Sequence, residues 1–467
     1  MTTRLHHWWQ ETRSSFWFVP AAIVLGAVGL ATSLIAVDAT VDLHVVERSP
    51  LLFGAGAAGS RGLLTAVASS MITVAGVVFS ITIVALALTS SQYTSRVLRN
   101  FMRDRINQVV LGVFVGIFAY CLVVLRTIRG GDEGAFVPSL AVLVGLILAF
   151  VGIAFLIFFI HHISKSIQAS SIIAAAARET IAAVDHLFPM GLGEDADEDA
   201  DGNLAMTQAE RNWSAVPARE TGYIESIDGE ALLALARKRG TVLRMERGVG
   251  EFVVEGTPLV SVAGPGGLDE ETTAELNAIY VISHQRTVEQ DAAFGIRQIV
   301  DIALKALSPG INDTTTAVMC VDYLGAILVR LAVRGISTPH RLDRGELRVI
   351  ARGPSFRSLL AEAFDQIRQN AQGNVAVLER LLQALESIGH LTKNTKRRQS
   401  LEQHAKLIGE LAERSIPCPH DSERIEAAVF RLSQHTVGSQ LSCARTDPAQ
   451  RSRAPETDVS VSTEEAS

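Results

Sequence analysis

Residues 69–101 read SSMITVAGVVFSITIVALALTSSQYTSRVLRNF, and no charged side chain occurs between Arg61 and Arg96. An α-helix rises about 1.5 Å per residue, so roughly 20 apolar residues cross about 30 Å of hydrocarbon. The run from 63 to 89 meets that length. Three others do as well, at 16–37, 109–125 (the shortest) and 139–160. Each is bounded by charge: Arg13 and Asp38, Arg61 and Arg96, Arg105 and Arg126, and finally Lys165. The first is too long for the apolar region of a signal peptide and is not followed by a small-residue cleavage site, so it reads as an anchor.

The rest of the chain has a different composition. Hydrophobic residues make up 48% of the 467, yet the apolar excess lies before about residue 165. The fold class expected is an α-helical membrane domain of four transmembrane helices, followed by a mostly helical α+β soluble domain with a small β-rich subdomain. A net charge of -7 gives no reason to expect nucleic acid as a partner. The four cysteines, Cys121, Cys320, Cys418 and Cys443, suggest no disulfide framework, which fits a reducing compartment.

An even number of spans places both termini on one side of the bilayer. One side carries Arg4, Arg13, Arg96, Arg99, Arg103, Arg105, Lys165 and Arg178, eight basic residues; the other carries Arg48, Arg61, Arg126 and Arg129, four. The excess marks the cytoplasmic side, with both termini on it. Trp8, Trp9 and Trp17 suit the headgroup level. His161 and His162 read as interfacial caps of the fourth span rather than metal ligands.

Within 69–101, small or weakly polar residues recur at Ser69, Thr73, Gly76, Ser80, Ala87, Ser91 and Thr94, along one helix face. Small residues let helix backbones approach closely in lipid, so helix packing is one reading. The other is a hydrated path lined by Ser69, Thr73, Gly76, Ser80 and Ser91, with Arg96 and the arginines after it at the cytoplasmic mouth. No Asp, Glu, Lys or His lies within the four apolar stretches, which argues against ion-coupled transport.

Beyond the spans, 161–190 reads as a cytoplasmic helix and 191–218 as an acidic linker. The linker has six acids between Glu194 and Asp201 that lack EF-hand spacing. Between 219 and 264, TGYIESID, GTVLRM and GEFVVEGTPLVSV read as strands around a short helix, with Gly250, Gly256 and Pro258 punctuating a hairpin-like part. G-x-F-V-x-x-G-x-P-L resembles the small lipoyl- or biotinyl-type barrel. Arg244, Met245 and Glu246 stand at the comparable turn, where such carriers have a lysine, so the resemblance implies a fold and no cofactor. The domain expected at 265–440 is helical, and 441–467 is expected to be disordered.

In the helical part, a helix over about 269–307, either continuous or broken early, and one over 314–334 flank the turn SPGIND, with Asn312 or Asp313 as N-cap of the second. On the first helix Arg286, Gln290, Arg297 and Asp301 are expected to share one face, with Asp291 beside them and Arg297 spaced to pair with Asp301. This set, with Asn312 and Asp313, is either a structural polar seam or a site for a small anion or partner. Helices are expected around 356–370, 375–389 and 398–414. Cys418, His420, His435 and Cys443 match no zinc spacing, so no metal site is assigned.

FSITIVALALTSSQYTSRVLRNF together with EQDAAFGIRQIVDIALKALSPGINDTTTA resembles domain-of-unknown-function family 2254, a family of predicted bacterial membrane proteins, over about residues 10–440. The family's proline before the arginine is replaced here by Ser95, and the proline after the PGIND aspartate by Thr314. The resemblance implies the bacterial inner membrane and brings no activity with it. No Walker loop, HExxH, dinucleotide fingerprint or nucleophile–base set occurs, so no catalytic residue, metal or cofactor is assigned. Two functions remain open: a homo-oligomeric channel for an unidentified small ligand or ion, and a membrane-anchored sensor or scaffold. The chain should need detergent to stay in solution, and a reporter fused after Ile160 should read as cytoplasmic; a periplasmic signal would reverse the topology.

Overall fold

The computed structural model describes residues 17–40, 56–92, 105–130, 136–188, 212–264, 269–336 and 339–443. The expected N-terminal segment 1–15, most of the acidic linker and nearly all of the expected disordered tail lie outside these residues. Arg96, Arg99 and Arg103 do too. The chain divides into two compact units, residues 1–178 and 179–467.

The first unit contains helices α1 (Phe18–Thr40), α2 (Ala57–Gln92), α3 (Arg105–Thr127) and α4 (Ser139–Ser166), together with the first half of α5 (Ala169–Leu187). In lipid the backbone must bond to itself, and a helix does this along its whole length. What distinguishes the four apolar helices is how much of each is covered by protein. More than half of α3 is buried, against a small fraction of α1 and α4. The shortest apolar run in the sequence is therefore the hub of the unit, a helix of 23 residues that begins at Arg105.

Glycines on α3 and α4 make close approach possible. A Cβ on Gly112 would stand 2.8 Å from Ile23 Cδ1 and 3.0 Å from Pro20 Cα of α1, and one on Gly152 would stand 2.9 Å from Met71 Sδ of α2. On α2, Leu64, Ala68, Met71, Ala75, Val78, Thr82, Ala85 and Thr89 are buried. They recur every three or four residues and form a seam on the hub. Three polar contacts tie one end of the unit. The Asp38 carboxylate near the end of α1 accepts the backbone N–H groups of Leu140 (3.3 Å) and Ala141 (3.1 Å) in the first turn of α4. Arg61 on α2 donates to the Ile128 carbonyl (2.7 Å) just past α3, and the buried Tyr120 hydroxyl donates to the Ala141 carbonyl (2.7 Å).

The second unit is built from strands and helices in the order β1 (Trp213–Pro217), β2 (Gly222–Ile227), α6 (Gly229–Arg239), β3 (Leu243–Met245), β4 (Phe252–Val253), β5 (Pro258–Ala263), α7 (Glu270–Ile279), β6 (Tyr280–Ser283), α8 (Ala292–Leu307), α9 (Thr314–Ala332), β7 (His340–Asp343), β8 (Glu346–Ile350), α10 (Phe356–Asn370), α11 (Val375–Leu391), α12 (Thr395–Ser415) and α13 (Pro419–Cys443). Two sheets form, one in the order β1-β5-β3-β8-β7 and one in the order β4-β2-β6.

This arrangement differs from the expected one in four places. The hairpin-like segment with Gly250, Gly256 and Pro258 is no hairpin: β4 pairs with β2, whereas β5 pairs with β1 and β3 in the other sheet. Residues 219–264 also do not close a small barrel among themselves, because β6, β7 and β8 come from later in the chain and β1 from before it. Arg244 and Met245 belong to a strand and not to an exposed turn. Finally, the helix expected over 269–307 is broken early by β6, whose four residues pair with β2 across a bulge between Ile224 and Ser226.

Among the described residues five helices are long and apolar enough to cross a membrane, the four above and α9. The molecule is thus mostly helical, with a small sheet-containing soluble region. Replacing Asp38 with Ala should remove the cap on α4 and cost about 0.5–2 kcal/mol. Thermal unfolding in detergent should fall accordingly, while Gly112→Leu, which drives a side chain into Ile23, should be more damaging.

Candidate functional site

On α2 the residues singled out by their small size point away from the buried seam. Ser69 lies five positions beyond Leu64, which is about 140° around a helix. Ser69, Thr73, Gly76 and Ser80 are all exposed on the unit, and a Cβ added at Gly76 would have no atom within 4 Å. Gly26 and Gly29 of α1 are equally bare. The Thr73 hydroxyl donates to the Ser69 carbonyl (2.8 Å), so it adds polarity to the face without leaving a donor unmet. The side chain of Ser91 and all of Arg96 lie outside the described residues.

The second candidate is the polar set around α8. Asp291 is the N-cap of α8 because its carboxylate accepts the Phe294 N–H (3.0 Å), which starts the helix there. Arg286 and Gln290 therefore lie before the helix, and the single face expected for Arg286, Gln290, Arg297 and Asp301 does not exist. Arg286 Nη2 and Nε both reach Asp291 Oδ2 at 2.7 Å, and its guanidinium packs over the Phe294 ring. Gln290 accepts the Ile227 N–H (3.2 Å) of β2. Gly250 (φ +82°) lies against the pair so closely that a Cβ would fall 2.3 Å from Asp291 Oδ2.

One turn into α8, Arg297 binds Glu362 and donates to Gln366 Oε1 (2.8 Å), both on α10. Asp301 follows on α8, partly buried. In the SPGIND turn Asn312 adopts a left-handed conformation (φ +50°), and Asp313 is the cap of α9, accepting from the Thr316 N–H (3.0 Å) and hydroxyl (2.5 Å). These bonds hold the Asp313 carboxyl below its ordinary 3.8. Burial pushes the Asp291 carboxyl the other way, upward, with Arg286 only partly offsetting it.

The arginines are thus met by carboxylates of the same unit, and the two aspartates serve as helix caps. Such a set is suited to fixing the α8–α9 hairpin. Sequence reading missed Glu362 and Gln366, which are spaced one turn apart on α10 but 65 and 69 positions from Arg297. It also missed Asp185 near the end of α5, which accepts from Arg330 Nε (2.8 Å) and Nη2 (3.0 Å) on α9 and from Arg334 Nη2 (2.5 Å) just after it. The i, i+4 spacing of Arg330 and Arg334 was visible, but nothing nearby in the chain pointed to their partner.

A family model described as a predicted membrane protein, domain of unknown function 2254, matches residues 13–387, and the chain belongs to that family. Among its relatives are an uncharacterised protein of Mycobacterium bovis and one of Mycobacterium tuberculosis. Each is 34% identical to it over 433 residues, covering 90% of this chain and 81% of the relative. No solved structure matches.

Two thermal measurements in detergent follow. Arg286→Ala should cost about 3 kcal/mol or more, because it leaves a nearly buried carboxylate unpaired. Asp291→Asn should cost less, since Arg286 is more exposed and can reach water. Asp313→Ala should cost about 0.5–2 kcal/mol at neutral pH. Because the Asp313 carboxyl is held low, its contribution is present above pH 3.8 and is lost as pH falls below it, so the gap from wild type should shrink in acid.

Proposed function

We propose that the chain is a four-span protein of the bacterial inner membrane with both termini in the cytoplasm, and that it assembles as a homo-oligomer around the outward face of α2 to form a permeation pathway. The observation that carries this reading is the position of Ser69, Thr73, Gly76 and Ser80. Close packing within one copy does not use them, because the packing seam of α2 lies on another face. A face of hydroxyls and glycine gains little from lipid tails. It is suited to a neighbouring helix at short range or to water, and a ring of copies provides both.

The count of four rests on α9. Its Asp322 pairs with Arg380 of α11 and its Arg330 with Asp185, and it is packed among α8, α10 and α11. Charges so placed belong to a soluble helix bundle. The eight-to-four distribution of basic residues supports the orientation. The polar set around α8 favours a structural over a ligand-binding role, since its arginines have carboxylate partners. No catalytic role is assigned.

Reconstituted protein should pass small ions or solutes, and Ser69→Cys copies should cross-link to one another in liposomes. Gly76→Leu should cut flux at least tenfold without unfolding the chain. A monomer in lipid with no flux under any gradient would overturn the proposal; cross-linking without flux would keep the oligomer and remove the pathway.

A further inference from the structure

The last helix of the second unit has two faces, and its own unit uses one of them. On α13, Ile425 and Leu432 are buried. Beside them Arg424 pairs with Glu379 of α11 (2.7 Å), and a Cβ on Gly409 of α12 would stand 3.4 Å from Val429. Each residue turns a helix by about 100°, so Ala427, Phe430 and Gln434 lie about 140–180° around from Ile425 and Leu432. All three are exposed, Phe430 at 62%. One exposed ring is ordinary on a protein surface. The spacing around it is not.

Ala427, Phe430, Gln434, Val437 and Leu441 follow one another at steps of 3, 4, 3 and 4. That is the spacing of the a and d positions, which face the partner in a coiled coil. All five positions are helical, since α13 continues to Cys443. Ile425 and Leu432 then occupy the position opposite the seam, so the helix can rest on its own unit and still offer the seam outward. The charges beside the seam fit a second copy of the same helix. Glu426 stands at g and Arg431 at e of the same heptad pattern, and in a parallel pair Glu426 of each copy meets Arg431 of the other. Both are exposed, and Arg431 has no ion pair among the described residues. An antiparallel pair would instead set Arg431 against Arg424 of the second copy, like charge against like. Gln434, polar at an a position, suits the role of fixing the register.

We propose that this face of α13 is an interface between copies of this chain, a short parallel coiled coil formed over residues 427–441. About two heptads are too few to pair in dilute solution, where three or four are the usual minimum. Copies held in one membrane meet at high effective concentration, so a weak seam suffices. The interface is distinct from the outward face of α2 and does not rest on whether α2 lines a pathway.

The test uses the full chain in liposomes with Cys418 and Cys443 replaced by Ser, which leaves the buried Cys121 and Cys320. Under a mild oxidant Gln434→Cys should form disulfide-linked dimers roughly tenfold or more above Glu413→Cys, an exposed position on α12. Phe430→Glu should abolish the link at 434 and leave thermal unfolding unchanged, because the ring lies on the surface of its own copy. Arg431→Glu should lower the link several-fold, and adding Glu426→Arg, which exchanges the two charges, should restore it. Cross-linking at 434 no stronger than at 413 would overturn the proposal, as would an exchanged pair that stays as weak as Arg431→Glu alone. Ser69→Cys tests the α2 face separately. Links at 69 with none at 434 remove the α13 interface and leave the α2 face standing, whereas links at 434 with none at 69 do the reverse.

Discussion

Lipid tails offer no hydrogen bonds, and the rest of this structure follows from that. A segment crossing them must bond its backbone internally, so the apolar helices are settled before they meet. Their association is then decided by side-chain shape and by a few polar contacts at helix ends, because burial of apolar surface gains nothing in a medium that is already apolar. The membrane unit shows this division. Gly112 and Gly152 let α3 and α4 come close to their neighbours, while Asp38 and Arg61 satisfy helix termini that lipid could not. The outward face of α2 stands out because it has small residues and, among the described residues, no atom within 4 Å of a Cβ placed at Gly76.

In the second unit charge is used freely, and a buried charge is stable where it is paired. Asp291 illustrates the cost. Its carboxyl is pushed upward by burial even with Arg286 in contact, yet it caps α8 and sets where that helix begins. Asp313 caps α9 at a more open position and is held low by its hydrogen bonds. Between them these two residues define the hairpin, and Arg297 fixes it to α10. The arginines that first suggest an anion site here meet carboxylates of their own unit.

The hairpin in turn holds α5. Every contact there is between residues far apart in sequence, such as Asp185 with Arg330 and Thr180 with Gly295. Nothing in the local sequence marks Gly295, the glycine of FGIRQ, for a special role. Its role becomes visible only once Thr180 is seen against it.

By itself the sequence determined the four early apolar helices, the family, and the helices around 356–370, 375–389 and 398–414. These depend on local composition and period, which act within a helical turn or over the thickness of a bilayer. Only the tertiary structure decided that α3 is the hub, that β4 and β5 enter different sheets, that β6 interrupts the helix expected from residue 269, and that Arg286 and Gln290 lie before α8. Strand pairing and burial depend on partners tens or hundreds of residues away, and no local spacing encodes which partner will arrive.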